Sequence, residues 1–281
     1  MFIFFGTQKG CRCGMMNIDF TKMHGLGNDY IFLQGDIPAC DLSALAREMA
    51  DRHFGVGADG MVLILPSDTA DFRMQMYNSD GSVGKMCGNA ARCVGKYVYE
   101  KGLTDKTELT LETMSGIKPV RLTVKNGKVE TVTVSMGAAR DVKAHEPVMA
   151  DSICYDAVTL SMGNPHCVIF TGDAAGAPVT THGKMICEAP EFPDGVNVEF
   201  CEVVSPTHLI MRVWERGSGL TLACGTGACA CAAAAICRGL ALPNEEIRVD
   251  PDGGTLSIRV TDGDILMTGP AEFVYDGTYR K

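Results

Sequence analysis

A cysteine followed by glycine stands twice in the chain among small residues. The runs are Met86-Cys87-Gly88-Asn89-Ala90-Ala91 and Ala223-Cys224-Gly225-Thr226-Gly227-Ala228. A sulfur at the start of a helix meets the positive end of the helix dipole and unpaired amide donors, which lower a thiol's pKa toward the working range. The amides that follow, at Gly88 and Asn89 and at Gly225 and Thr226, can hold a carboxylate oxygen as an oxyanion hole does. A thiolate beside an amide-bound carboxylate is equipped to remove the α-hydrogen of an amino acid without pyridoxal or a metal. Two such turns facing each other do more. One thiolate takes the proton from one face of the carbon, the opposite thiol delivers a proton to the other face, and the centre inverts with no cofactor.

One such turn alone is more often a buried core cysteine beside a helix cap, because free cysteine is among the most buried residue types. Repetition changes the balance. The two cysteines stand 137 positions apart, and the same offset lays Phe72–Tyr77 over Leu209–Trp214 and Gly102-Leu103 over Gly239-Leu240. Asp59-Gly60 falls on Val196-Asn197 at that offset, and Gly27-Asn28-Asp29-Tyr30 falls on Gly163-Asn164-Pro165-His166 at 136. Each half reads as an alternating strand, a polar Gly-containing turn, Cys-Gly, a helix, and a glycine suited to a helix C-terminus.

The expected fold is therefore α/β (α+β), with two homologous halves joined near Val129–Thr131. Short β-prone runs fill the remainder: Thr107–Thr113, Val120–Lys125, Val129–Ser135, Ala157–Leu160, Cys167–Thr171, Val196–Val204, Thr255–Thr261 and Ile265–Thr268. Asn126-Gly127 and Asp262-Gly263 are hairpin turns by type. A helix over Gly225–Arg238 is rich in Ala and Cys with almost no polar face, so it should be buried all round by strands.

Bulk properties exclude several functions. With 281 residues, 46% hydrophobic and 21% charged, the chain has a globular balance and room for two domains. A net charge of −9 argues against a nucleic-acid groove or an anionic membrane as partner. No apolar run is long enough to cross a bilayer, and Met1–Phe5 lack the flanks of a secretory signal, so a cytoplasmic protein is expected. The thirteen cysteines are odd in number and never in Cys-x-x-Cys spacing, which speaks against a disulfide framework and against a metal centre. Cys229 and Cys231 are too close on a helix to chelate well, and most of the cysteines should be buried and reduced.

These runs, together with Met23–Tyr30, Tyr77–Ser82, Met162–His166, Gly195–Val198 and Trp214–Gly217, resemble diaminopimelate epimerase, in that family's order from about residue 17 onward. The resemblance implies two pseudo-symmetric domains, each a strand barrel wrapped around a central helix, with the active site in the interdomain cleft. It implies an N-terminal half of residues 17–130 plus 269–281, a C-terminal half of 131–268, and a 1–16 extension outside the pattern, with Met15 or Met16 a candidate start. A last strand around Gly269–Tyr279 returns to the first half. The implied reaction interconverts LL- and meso-2,6-diaminopimelate on the route to lysine and peptidoglycan, by a homodimer with no cofactor and no metal.

Carried over by position, Cys87 and Cys224 are the acid/base thiols. Gly88, Asn89, Gly225 and Thr226 hold the carboxylate at the reacting centre. Asn28, Asn78, Asn164, Asn197, Glu215 and Arg216 grip the substrate, and His166 and Glu215 tune the thiols. Arg216 suits a carboxylate and Glu215 an ammonium. His24, His53, His145, His182 and His208 receive no role, and Trp214 is expected in the core. Gly60 departs from family members that carry Gln there, so one polar contact is missing or supplied by backbone. Proline racemase and hydroxyproline epimerase are the nearest alternative, but their substrates lack the second amino-acid end that the polar positions suit. A non-catalytic amino-acid or metal-binding protein is more remote, because both thiols are present.

Overall fold

The computed structural model describes residues 16–37 and 41–281. Cys11, Cys13 and the rest of the expected extension before Met16 lie outside the described residues. The first half contains β1 (Asn17–Gly25), β2 (Asn28–Gln34), α1 (Leu42–Ala50), β3 (Gly60–Leu65), β4 (Phe72–Asn78), β5 (Val83–Gly84), α2 (Gly88–Glu100), β6 (Glu108–Thr113), β7 (Gly116–Lys125) and β8 (Lys128–Ser135). Next come β9 (Arg140–Ala150), β10 (Ile153–Ser161), β11 (Pro165–Thr171), α3 (Lys184–Cys187), β12 (Asn197–Ser205) and β13 (His208–Glu215). They are followed by β14 (Gly219–Leu220), α4 (Gly225–Cys237), β15 (Glu246–Asp250), β16 (Leu256–Thr261), β17 (Asp264–Gly269) and β18 (Glu272–Arg280).

The pairings show the same plan twice. In the first half the strands lie in the order β18, β1, β2, β3, β4, β6, β7, β8. In the second, β9, β10, β11, β12, β13, β15, β16, β17 follow the same order. β2 and β3 run parallel, as do β11 and β12. The outermost strands are exchanged along the chain. After β8 the chain crosses to begin the second half at β9, and β18 returns to pair with β1. β8 also pairs with β17, so the two halves share one continuous sheet.

α2 and α4 pack inside the curl of their own halves, while α1 and α3 cover the opposite faces of the strands. α4 touches all eight principal strands of the second half, and its residues from Ala228 to Ala235 are buried. That enclosure accounts for a helix with no polar face. α2 lies against β1, β7 and β8. Asn126 and Gly127 take φ of 51° and 75° in the hairpin between β7 and β8, the left-handed pair that an Asn-Gly turn supplies at low steric cost. Gly102 and Gly239 follow α2 and α4 with φ of 74° and 70°, as a C-terminal glycine should. Among the described residues, no helix is long and apolar enough to cross a membrane.

Candidate active site

Cys87 is the N-cap of α2 and Cys224 the N-cap of α4, both in extended backbone. Each sulfur accepts from the amide three residues on, Ala90 at 3.5 Å and Gly227 at 3.3 Å. The amides of Ala91 and Ala228 are taken by the Cys87 and Cys224 carbonyls. The first amides of a helix have no acceptor inside it, which leaves those of Gly88, Gly225 and Thr226 at the two helix tips, while the Asn89 amide acts on the Cys87 sulfur.

The tips meet. A Cβ built on Gly88 would lie 2.5 Å from Met267 Cε, and one on Gly225 would lie 3.0 Å from Met267 Sδ. Asn89 Nδ2, on one tip, donates to Ala223 O beside the other at 3.4 Å. A side chain at Gly88 or Gly225 would have to displace the end of Met267, which fills the space between the tips.

Around Cys87 the contacts form an ordered chain. Asp59 Oδ2 accepts from Asn28 Nδ2 at 2.7 Å. Asn28 Oδ1 then faces inward, accepting from Asn89 Nδ2 at 3.1 Å and from the Cys87 thiol at 3.5 Å. Asn89 Oδ1 is left as a buried acceptor with no protein partner, 3.5 Å from where a Cβ on Gly225 would be. Tyr30 donates its hydroxyl to Cys87 Sγ at 3.4 Å.

Around Cys224 the partners differ. Its sulfur lies 3.5 Å from Thr226 Oγ1, and the Glu215 carboxyl is near enough to act on it. Asn164 Nδ2 donates to Thr226 Oγ1 at 3.3 Å. Asn164 Oδ1 lies 3.2 Å from His166 Nε2, and His166 Nδ1 lies 2.7 Å from Glu199 Oε1, with both side chains fully buried. Asn197 donates to Pro165 O at 2.9 Å and accepts from the Arg216 backbone amide at 3.0 Å. Thr221 donates to Glu215.

The helix-start effect expected to lower the thiol pKa values is present but outweighed. Burial pushes Cys87 up, against the opposing hydrogen bonds from Tyr30 and the amides of Ala90 and Asn89. Cys224 is pushed well above its usual value by burial, and the charges of Glu215 and Glu199 add to that. Burial also raises Glu215. The correction has a chemical use. A thiolate of higher pKa is the stronger base toward a carbon acid as weak as an amino-acid α-carbon.

Two of the sequence-derived residues hydrogen-bond elsewhere than to a thiol. Asn78, exposed at the end of β4, donates its Nδ2 to Ser82 Oγ at 2.9 Å. Arg216 is exposed, and its Nη1 donates to Asp194 O at 3.0 Å. A groove of about 700 Å³ runs beside Arg216 and Glu215, between Trp214 and α3, and neither thiol lines it.

The diaminopimelate epimerase family model matches residues 20–142 and 158–274. Diaminopimelate epimerase of Bacillus subtilis is 45% identical over 94% of this chain and 99% of its own. The enzyme of Geobacillus kaustophilus is 46% identical, over 94% and 97%. The chain belongs to the diaminopimelate epimerase family. A hydroxyproline epimerase from Agrobacterium vitis shares the fold, with a TM-score of 0.71 at 17% identity across 94% of this chain and 91% of that one.

Within the diaminopimelate epimerase family frame, the residues that sequence reasoning left without a role are Tyr30, Asp59 and Glu199. Glu199 had a signal, being a lone carboxylate inside the apolar strand run Val196–Cys201. Tyr30 had one too, since it occupies the repeat position of His166. Gly60 has a steric reason. A Cβ there would lie 2.2 Å from Tyr77 O and 3.0 Å from the Tyr30 ring, so no glutamine fits this backbone.

Proposed function

We propose that this chain interconverts LL- and meso-2,6-diaminopimelate by two-base proton transfer between Cys87 and Cys224. The convergence of the two Cys-Gly helix tips on Met267 and on the Asn89–Ala223 contact carries this reading. The substrate carboxylate at the reacting centre takes the amides of Gly88, Asn89, Gly225 and Thr226 at the helix tips. One sulfur, as thiolate, accepts the α-hydrogen, and the C–H electron pair moves into the amide-held carboxylate as an enediolate. The other sulfur, as thiol, gives its proton to the opposite face. The thiolate and thiol have then exchanged places, and the reverse reaction uses them in the opposite sense.

Asn89 refines the binding scheme. Its Nδ2 is committed to Asn28 and Ala223, so its side chain offers an acceptor and suits the ammonium of the reacting centre; its backbone amide serves the carboxylate. Asn28, Asn164 and Asn197 shape the site. Arg216 and Glu215, at the rim of the neighbouring groove, suit the carboxylate and ammonium of the distal end, and Asn78 is assigned to substrate binding with them. His166 acts on the Cys224 side through Asn164 and Glu199. The halves divide after β8, so the joint expected at 130/131 moves to the crossover between Ser135 and Arg140, and β18 completes the first half. We assign the chain to the cytoplasm. The homodimer that the family resemblance implies is part of the same reading.

Turnover in deuterated water tests the mechanism. Early product carries deuterium at the inverted carbon while recovered substrate stays protonated, because each face has its own sulfur. Equal early labelling of both would mean a single base. Cys87→Ser and Cys224→Ser each lower kcat by at least about 10²-fold, the lower end for a positioned acid or base; near-normal turnover by either overturns the assignment.

A further inference from the structure

The two sulfurs have unlike neighbours, although the halves that carry them are repeats. In the parallel pair β2–β3, Tyr30 lies opposite Gly60; in the parallel pair β11–β12, His166 lies opposite Asn197. The two rings therefore occupy equivalent positions, but only the first reaches a sulfur. His166 is turned to Glu199 and Asn164. Tyr30 sets its hydroxyl 3.4 Å from Cys87 Sγ.

Gly60 allows this. The Tyr30 ring passes over the position where any β-carbon at 60 would stand. Its other side meets Phe32 edge-on, with ring centroids 6.4 Å apart, and the residue is 5% exposed. The hydroxyl is held by packing before any substrate arrives. Cys87 thus has one partner suited to each protonation state. Asn28 Oδ1 accepts from the thiol, and Tyr30 donates to the sulfur. Cys224 has no tyrosine, and the carboxylates of Glu215 and Glu199 face it instead.

We propose that Tyr30 is a positioning residue for the reaction, whose hydroxyl stabilises the Cys87 thiolate and makes that sulfur the more readily ionised of the pair. This rests on the reading that Cys87 exchanges a proton with substrate. A hydrogen bond to a charged acceptor is among the stronger ones, and burial holds the Tyr30 hydroxyl protonated, well above the ordinary tyrosine range. The other groups acting on Cys87 are Glu215 from β13 and Arg92 and Cys93 from α2, while Asp59, ahead of β3, acts on Tyr30. None of these is altered by removing the hydroxyl alone.

The test is Tyr30→Phe, which keeps the ring against Gly60 and Phe32. Full-length protein is alkylated with iodoacetamide across a pH series, and the peptides carrying Cys87 and Cys224 are followed separately by mass spectrometry. The expected result is a midpoint for Cys87 raised by about one pH unit, hence labelling about tenfold slower below it, with the Cys224 midpoint unmoved. An unchanged Cys87 midpoint overturns the proposal, as does an equal shift at both sulfurs, which would mark a general loosening. Epimerisation by the unaltered chain is assayed in the same preparations. Its absence would sink the proposed function, while the labelling still decides the role of Tyr30.

Discussion

Asn28 donates its side-chain amide to Asp59 Oδ2 at 2.7 Å, and that bond decides the polarity of the site. A carboxylate only accepts, so Asn28 must turn its Nδ2 toward Asp59 and its Oδ1 toward Cys87 and Asn89. Asn89 must in turn spend its donors on Asn28 and Ala223, which leaves its own oxygen facing Gly225. Asp59 is itself held by Arg52 Nη2 at 2.8 Å, and Arg52 also grips Asp29.

Removing Asp59 should let both amides rotate without disturbing either sulfur's cap. Asp59→Ala is expected to lower kcat/KM by about tenfold to a hundredfold, the range for losing a hydrogen bond to a charged group. Steady-state kinetics with a melting curve checks this. Unchanged kcat/KM would show that the amides hold their orientation without the carboxylate.

Glu199 raises Cys224 through its charge, after the larger effect of burial and that of Glu215. Glu199→Gln keeps the shape and the acceptor for His166 Nδ1 while removing the charge. The Cys224 thiol should then ionise at lower pH, so alkylation of its peptide begins earlier in a pH series than in the unaltered chain. A midpoint that stays or rises would contradict the assigned field.

Glu199→Ala is a different case, because it leaves His166 buried without its partner. Leaving a buried polar group without its hydrogen-bond partner typically costs about 1–3 kcal/mol. A urea titration should show a loss of that order, and a loss below about 1 kcal/mol would mean that the pair is not dry.

Asp29 links acid stability to the same network. Burial pushes its carboxyl up, but the hydrogen bonds and charges of Arg52 and Lys22 prevail and hold it at about 2, below the ordinary 3.8. A carboxyl depressed on folding contributes stability that is present above its unfolded pKa and lost as pH falls through the folded one. The contribution is about 1–2 kcal/mol after allowance for solvent screening. The stability gap between the unaltered chain and Asp29→Asn should therefore narrow by that amount between pH 4 and pH 2, read by urea denaturation. A constant gap would mean that Asp29 is not depressed.

Gly60→Gln should not be neutral here. Its Cβ meets the Tyr77 carbonyl and the Tyr30 ring, and overpacking of that kind costs about 1–3 kcal/mol. A melting temperature equal to that of the unaltered chain would show that β3 can move away from β4 freely.

The amino-acid sequence by itself determined the repeat, the helix starts at Cys87 and Cys224, and the burial of α4. These rest on local chemistry. A thiol before Gly at a helix tip, an Asn-Gly turn and an all-apolar helix each have few conformations that satisfy them. The long strand β9 was not foreseen, because Arg140–Ala150 alternates weakly and is fixed by pairing with β10. Nor was the single sheet through β8 and β17, which depends on register between strands far apart in the chain.

Tertiary structure alone decided the electrostatics. The helix-start effect on the thiols acts locally and was legible, but desolvation depends on everything packed around a sulfur, and it reverses the net direction at both. The unlike surroundings of the two sulfurs were equally hidden. Tyr30 and His166 hold equivalent places in the repeat, yet one ring reaches a sulfur and the other a buried glutamate. The space at Gly60 and the carboxylate at Glu199 decide that difference, and both come into play only when neighbouring strands are in register.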